Sequence, residues 1–471
     1  MPSGTRGEEP RSGLFLSCAR TRLHHPVAFR RAGFDGLALP RHDATPMRSL
    51  LRDALLSLGA LLGACGCGHT RTDTGAAPGN DASAPTAPVA LSPQGRVLEA
   101  AENEGPSASS AARSTPALAP VPSAPLAAGA RVEIPAGKLT AGSTPGDKGR
   151  DPTLEPALLG VELGGYSMDR YLYPNDPQRP ALTGVPRARA AELCQQASGR
   201  LCTELEWERA CKGPEGTAFA GGAIWDPACA KAPERCASGF GLLGLGAALR
   251  EWTASDVAPP ENAQERAAAV RGARGDAAAQ DHRCAHRGGV DASASAEDLG
   301  FRCCHGAPNA AAVPAPAFQQ TFRKAELTVA QAVEMFASVP QLKELGGEIS
   351  FFKEPDDVSQ VLSRGDAGVG TVPNTSFTTQ PILWSPVPGE EILVVAGRAQ
   401  KSSFIVAFYR LPGDRYRIGS SFILKDERGP IVLGYNSYVR RKLSWAFCWD
   451  CRAESGFVTY RDDNRVVITQ K

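Results

Sequence analysis

Apolar positions first recur with a secondary-structure period after residue 130. Val132 and Ile134 alternate with polar neighbours, as in a half-buried strand, and strand-like pieces follow within 163–172. Between Arg187 and Ala197, residues Ala190, Leu193, Cys194 and Ala197 fall at helical spacing and predict a helix. A second helix is predicted from Thr203 to Cys211. Thr203 is followed three positions later by Glu206, a capping box in which each side chain satisfies a backbone N–H of the other. Leu205, Trp207 and Ala210 supply its inner face. From there to Gly306 the pattern is broken by Gly, Pro and Ala, and loops dominate. A third helix is predicted over Leu327–Val339, capped by Thr328, with Val329, Ala332, Val333, Met335, Phe336 and Val339 apolar. From Glu391 the period shortens to two. Candidate strands are 392–396, 404–411, 416–424, 431–435, 443–448, 456–460 and 466–469, with hairpin turns at Pro412-Gly413-Asp414 and at 461–464. The C-terminal third therefore reads as a mainly antiparallel sheet or small barrel behind a helix.

The first 130 residues lack this periodicity. Residues 1–46 are rich in Arg, Pro and Gly, carry Cys18, and are expected to precede the true start at Met47. From Met47 the chain has a basic start (Arg48, Arg52), an apolar run from Ala54 to Leu62, and then Leu62-Gly63-Ala64-Cys65. Small residues before a cleavage point suit the narrow pocket of a signal peptidase. With the cysteine they resemble a bacterial lipobox, so 47–64 reads as a lipoprotein signal peptide and Cys65 as the acylated residue, with Cys67 a less well-spaced second candidate. The resemblance implies a lipid-anchored protein of the bacterial cell envelope, on the periplasmic face or the outer membrane. Its partner there is the bilayer, reached through the acyl chains. Residues 65–130 are mostly Ala, Pro, Ser, Thr and Gly, too poor in large apolar groups to offset ordering entropy. They read as a tether with a root-mean-square span of about 45 Å.

Composition changes the picture in two ways. With 49 Gly and 38 Pro among 471 residues the chain is rich in turn formers, and its 51 basic against 50 acidic residues give no reason to expect a nucleic-acid partner. No apolar run reaches the ~18 residues of a spanning helix.

The segment Gly199-Arg200-Leu201-Cys202-Thr203-Glu204-Leu205-Glu206-Trp207-Glu208 resembles the Gly-Lys-Arg-Leu-Pro-Thr-Glu-x-Glu-Trp-Glu signature of the formylglycine-generating enzyme (sulfatase-modifying factor) family. The family's other landmarks follow in order: Gly239-Phe240-Gly241-Leu242, Glu251-Trp252-Thr253, Arg283-Cys284-Ala285-His286-Arg287 and Leu299-Gly300-Phe301-Arg302-Cys303, with Ile134-Pro135-Ala136-Gly137 as the opening. The resemblance spans about 131–306. It implies an α+β, loop-rich, C-type-lectin-like central domain, followed by a linker at 307–320 and an unassigned C-terminal domain at 321–471.

Family enzymes oxidise a substrate cysteine at a copper(I) ion held by two thiolates, a soft-ligand site. Those cysteines belong between the Glu-Trp-Thr and Arg-Cys-Ala landmarks. Here that interval, Ala254–Arg283, contains no cysteine, and Arg271-Gly272-Ala273-Arg274 replaces the usual Arg-Gly-Gly-Ser. Copper is therefore not expected, no catalytic residue is assigned, and no cofactor is required. The iron-dependent relatives need three histidines, some from a helical domain not visible in this sequence. Glu251 matches a calcium-binding position of the family, although Ala247-Ala248 replaces its Gly-Asn; the alternative is a pairing of Glu251 with a surface arginine.

In an exported protein paired cysteines staple loops. The resemblance pairs Cys194 with Cys303 and Cys211 with Cys284. Cys202 and Cys304 are two further cysteines that can pair with one another, a connectivity that spacing does not settle. Cys229 and Cys236 suit a small local bridge, and Cys448 and Cys451 a disulfide across a hairpin end rather than a redox Cys-x-x-Cys. A zinc cluster of His282, Cys284, His286, Cys303, Cys304 and His305 is the competing reading, disfavoured because disulfides consume the thiols. The histidines are then expected as solvent-facing loop residues, and Arg440-Arg441-Lys442 as a solvated turn.

Three functions follow. One is an anchored binding lipoprotein whose central domain takes an unidentified protein or glycan ligand without catalysis. The second is a family enzyme with altered metal-dependent oxidase chemistry. The third is a structural envelope component acting through its C-terminal β domain.

Overall fold

The computed structural model describes residues 127–257, 267–316, 322–345, 348–363, 374–425, 429–449 and 454–471, together with the short strands Val89–Ala90 and Val97–Leu98. Cys18, the signal-like segment 47–64, Cys65, Cys67 and Cys451 lie outside the described residues.

The central domain is built on two small sheets. In one, Arg131–Ile134 and Cys303–His305 flank Tyr166–Asp169, and Arg200–Leu201 adds to the far side of Cys303–His305. The first and last strands of the domain thus close onto the same neighbour. The second sheet runs in the order Arg287–Val290, Ala267–Arg271, Arg250–Val257, Leu299–Phe301, with the last pair parallel. A hairpin of Gly137–Ala141 and Leu159–Leu163 stands beside them.

The helices are Arg187–Gln196 and Glu204–Lys212. The second has the predicted capping box: Glu206 N–H donates to Thr203 Oγ1 at 3.3 Å, and Thr203 N–H donates to Glu206 Oε2 at 2.8 Å. Its polar face is not left to solvent, however. All nine of its residues are buried, charged ones included, because every charged side chain finds a partner in the domain interior. The segment expected as a linker is also in use. Asn309 donates to Glu206 Oε1 from its backbone and its side chain, and Ala311 and Val313 pack on the Leu139–Leu163–Leu205 cluster.

The C-terminal domain is two packed sheets rather than a barrel. The first runs Phe322–Glu326, Ile382–Trp384, Ile392–Ala399, Ser402–Leu411, Arg415–Leu424, and Ile349–Ser350 pairs with the far end of Ile392–Ala399. The second runs Thr375–Thr378, Val432–Asn436, Lys442–Ala446, Ser455–Tyr460, Val466–Gln470. The seven strands read from alternation are present. Sequence reading passed over Phe322–Glu326, Thr375–Thr378, Ile382–Trp384 and the helix Asp356–Ser363, which are short and lie outside the long alternating run. Helix Val329–Ala337, capped by Thr328, covers the outer face of the first sheet through Met335 and Phe336. Trp384, Ile405, Leu433, Trp445 and Tyr460 fill the space between the sheets.

The tether expectation does not hold at four residues. Val89–Ala90 pairs in parallel with Phe322–Glu326, and Val97–Leu98 with Arg415–Leu424, one at each edge of the first sheet. Unpaired edge N–H and C=O groups accept such additions from any extended segment within reach.

Candidate functional site

The family landmarks converge on the helix Glu204–Lys212, and the structure uses them as struts. Glu204 receives the fork of Arg287, Nε at 2.5 Å and Nη2 at 2.7 Å, and also Arg271 Nη2 at 3.1 Å. Arg271 lies fully buried between Glu204 and Glu208, 3.1 Å from a carboxylate oxygen of each, and also donates to the Ala285 carbonyl. Burial works against the Arg271 charge, but the two glutamates outweigh it and hold its pKa above the ordinary arginine value. Glu208 also accepts from Gly142 N–H at 2.6 Å and pairs with Lys212, which caps the carbonyls of Thr140 and Gly142. On the opposite side Arg200 forks onto Glu206 with two 2.8 Å bonds. Burial would raise the Glu206 carboxyl, but Arg200, the Thr203 N–H and the Asn309 amide outweigh it and lower its pKa.

The two arginines of the Arg-Cys-Ala-x-Arg motif reach outward to the loop 142–156. Arg283 forks onto Glu155 with two 2.8 Å bonds and donates to the Gly149 carbonyl; Arg287 donates to the Leu154 carbonyl. From the other side of that loop Arg150 meets Glu390 of the C-terminal domain at 2.6 Å, both side chains 1% exposed. Tyr460 donates to the same carboxylate, and Asn464 Nδ2 donates to the Arg150 carbonyl. Gly389, at φ +77°, brings its backbone so near Pro152 that a Cβ there would meet the Pro152 carbonyl oxygen at 2.1 Å. Sequence reasoning missed Glu155, Arg150 and Glu390. Their partners lie 128 and 240 positions away, and no local pattern marks them.

The interval Ala254–Arg283 forms part of a strand pair, with a bulge between Trp252 and Asp256, then a turn in which Arg274 pairs with Asp276, and a short helical turn at Ala279–His282. Residues 258–266 lie outside the described residues. All eight cysteines of the central domain are in disulfides: Cys194–Cys303, Cys202–Cys304, Cys211–Cys284 and Cys229–Cys236. The first and third are the pairings the resemblance implies, and the second is the connectivity spacing had left open. Cys448 is also disulfide-bonded.

The histidines are not solvent-facing. His282 is buried, stacks on Trp225 with 3.8 Å between ring centroids, and donates from Nδ1 to the Gly246 carbonyl at 2.8 Å. His286 is half-buried, and burial pulls its pKa below the usual imidazole value. His305 is held by the Ser198 carbonyl and by Asp169, at 3.1 and 3.0 Å. It lines a cavity of about 400 Å³ with Glu133, Tyr166 and Ser167. Ser167 lies opposite His305 in the neighbouring strand, but both ring nitrogens face other acceptors, so no base is turned to that hydroxyl. Among the described residues, no group of three or more His, Cys, Asp and Glu side chains is placed to hold a metal ion.

Glu251 sits in the interior, not on the surface. Its Oε2 accepts from Arg302 Nε at 2.9 Å, while Arg302 also takes the carbonyls of Arg170 and Leu243. Oε1 is buried without a hydrogen-bond partner. Calcium takes six to eight oxygens, and here one carboxylate oxygen is available beside a guanidinium that already occupies the surrounding carbonyls. This donor set does not fit calcium.

Residues 162–307 match the family model of the Sulfatase-modifying factor enzyme 1-like domain. Among solved structures the chain is similar to PvdO from Pseudomonas aeruginosa (17% identity, covering 37% of this chain and 93% of that one, TM-score 0.31). It is similar to Treponema denticola variable protein 1 (17%, 37% and 94%, 0.29) and to CarF (15%, 37% and 97%, 0.29). No curated protein matches it. Within the central domain, the match to the sulfatase-modifying-factor-like family model therefore covers residues 162–307. The strand Arg131–Ile134 extends the domain ahead of the matched residues.

Proposed function

We propose that this protein is an acyl-anchored envelope lipoprotein whose sulfatase-modifying-factor-like domain is a non-catalytic scaffold for capturing a protein or glycan ligand. One observation carries the reading: the motif residues are consumed by the fold. Arg271, Arg283, Arg287 and Arg302 are each bonded to a buried carboxylate, and every central-domain cysteine is in a disulfide, so no thiolate pair is left for a soft metal. The loop 142–156 lies over the Arg-Cys-Ala-x-Arg segment and is pinned from both sides. A disulfide-stapled, loop-rich surface suits partner binding.

The test has two arms. Purified protein is incubated with copper(I), oxygen and a cysteine peptide, and the peptide is assayed for formylglycine. The expected result is no turnover and no stoichiometric copper after dialysis; turnover overturns the scaffold reading. Separately, labelled fatty acid is fed to bacteria expressing the parent and Cys65→Ala. Label is expected in the parent alone, and label in both chains overturns acylation at Cys65.

A further inference from the structure

The basic run Arg440-Arg441-Lys442, expected as an ordinary solvated turn, is joined to an exposed apolar pair. Tyr438 is 80% exposed and Val439 48%, while almost every other large apolar side chain among the described residues is at least partly buried. The two sit at the tip of the hairpin between Val432–Asn436 and Lys442–Ala446, with Ser437, Arg440 and Arg441 also exposed. The tip is well supported. Asn436 Oδ1 accepts from Tyr438 N–H at 2.9 Å, Trp384 Nε1 donates to the Arg440 carbonyl, and Tyr460 N–H donates to the Arg441 carbonyl. That last bond sets the turn 461–465 alongside, adding two arginines and two aspartates. Asp462 pairs with Arg441, and Asp463 with Arg465 and Arg461; tip and turn together carry five basic side chains and two aspartates.

We propose that this hairpin tip is a contact for an anionic lipid bilayer: Tyr438 and Val439 enter the interfacial layer, and Arg440 and Arg441 meet the headgroup phosphates. Tyr is suited to that depth because its ring is apolar and its hydroxyl is wet. Cations flanking an exposed apolar pair are what an anionic surface attracts and a neutral one does not. Two apolar side chains and a few cations bind weakly. The contact therefore rests, for its effect in the cell, on the acyl-anchor reading, which raises the local concentration of the tip at the surface. Once seated, the tip orients the two-sheet domain against the membrane.

The experiment removes the acyl chain so that the tip is tested alone. The mature chain, beginning at residue 65 with Cys65→Ser and so free of the apolar segment 47–64, is mixed with vesicles of phosphatidylcholine, or of phosphatidylcholine with phosphatidylglycerol, and pelleted. Binding to the anionic vesicles alone is expected, falling as salt rises. Arg440→Gln with Arg441→Gln is expected to weaken it about thirtyfold. Tyr438→Ser with Val439→Ser is expected to abolish it at the same lipid concentration. In Tyr438→Trp, the emission is expected to shift to the blue on anionic vesicles only. Equal pelleting of parent and tip variants, or no emission shift, overturns the proposal. Because these side chains are exposed, near-ultraviolet circular dichroism of each variant is expected to match the parent. Failure of Cys65 acylation leaves this outcome unchanged, so the two readings fail separately.

Discussion

At the scale of single residues, the central domain is held by charges in its interior. Arg271 is the clearest case, fully buried with a carboxylate on either side. Removing one member of such a group leaves the others buried and uncompensated, which costs about 3–5 kcal/mol. Arg271→Met is therefore expected to lower stability by about that amount in denaturant unfolding, far more than Arg274→Met, whose pair with Asp276 is exposed. Thr203→Ala, which removes only the cap, is expected to cost about 1 kcal/mol. Glu206 adds a pH dependence. Its folded pKa lies below its unfolded value of 4.5, so its contribution is fully present above pH 4.5 and is lost as pH falls through the folded value. Glu206→Gln is expected to flatten that acid limb of the stability–pH curve; an unchanged limb shows that other carboxylates carry it.

At the scale of elements, the disulfides divide into unequal contributors. Cys211–Cys284 closes a separation of 73 residues, worth about 4 kcal/mol in the chain-entropy model, and Cys229–Cys236 closes 7, worth about 2. Cys194–Cys303 and Cys202–Cys304 are nearly redundant, because Cys303 and Cys304 are adjacent and Cys194 and Cys202 are only eight positions apart. Once one is formed, the second closes only a small ring and adds about 2.5 kcal/mol. Either pair replaced alone by alanine is thus expected to cost about 2.5 kcal/mol and both together about 7, measured by chemical unfolding under oxidising conditions. Simple additivity of the two losses is the result that rules out this redundancy.

At the scale of the whole molecule, the two domains meet through the buried pair of Arg150 and Glu390. Burial raises the Glu390 pKa despite Arg150 and the Tyr460 hydroxyl. A carboxyl raised in this way favours the folded state in its protonated form, and that contribution fades as pH rises through the folded value. Arg150→Met is accordingly expected to destabilise more at pH 8 than at pH 5, because at low pH the orphaned Glu390 takes up a proton. Unfolding midpoints of parent and variant across that range check it, and a pH-independent difference contradicts the assignment.

The sequence by itself determined whatever depends on neighbours along the chain. The capping box at Thr203 and the cap at Thr328 are set within one turn of helix, and the seven alternating strands within a few residues each. The family motifs carried the central fold, and from it two disulfide pairings. Tertiary structure decided what depends on partners far away in sequence. A helix carrying Glu204, Glu206, Glu208, Arg209 and Lys212 reads as half-exposed, yet it is buried because Arg200, Arg271 and Arg287 arrive from other strands to neutralise it. The histidines read as surface features for the same reason, and so does Glu251 in the reading that pairs it with a surface arginine. A charged side chain is stable in the interior only where its counter-charge is brought to it, and the counter-charges here come from up to 240 residues away.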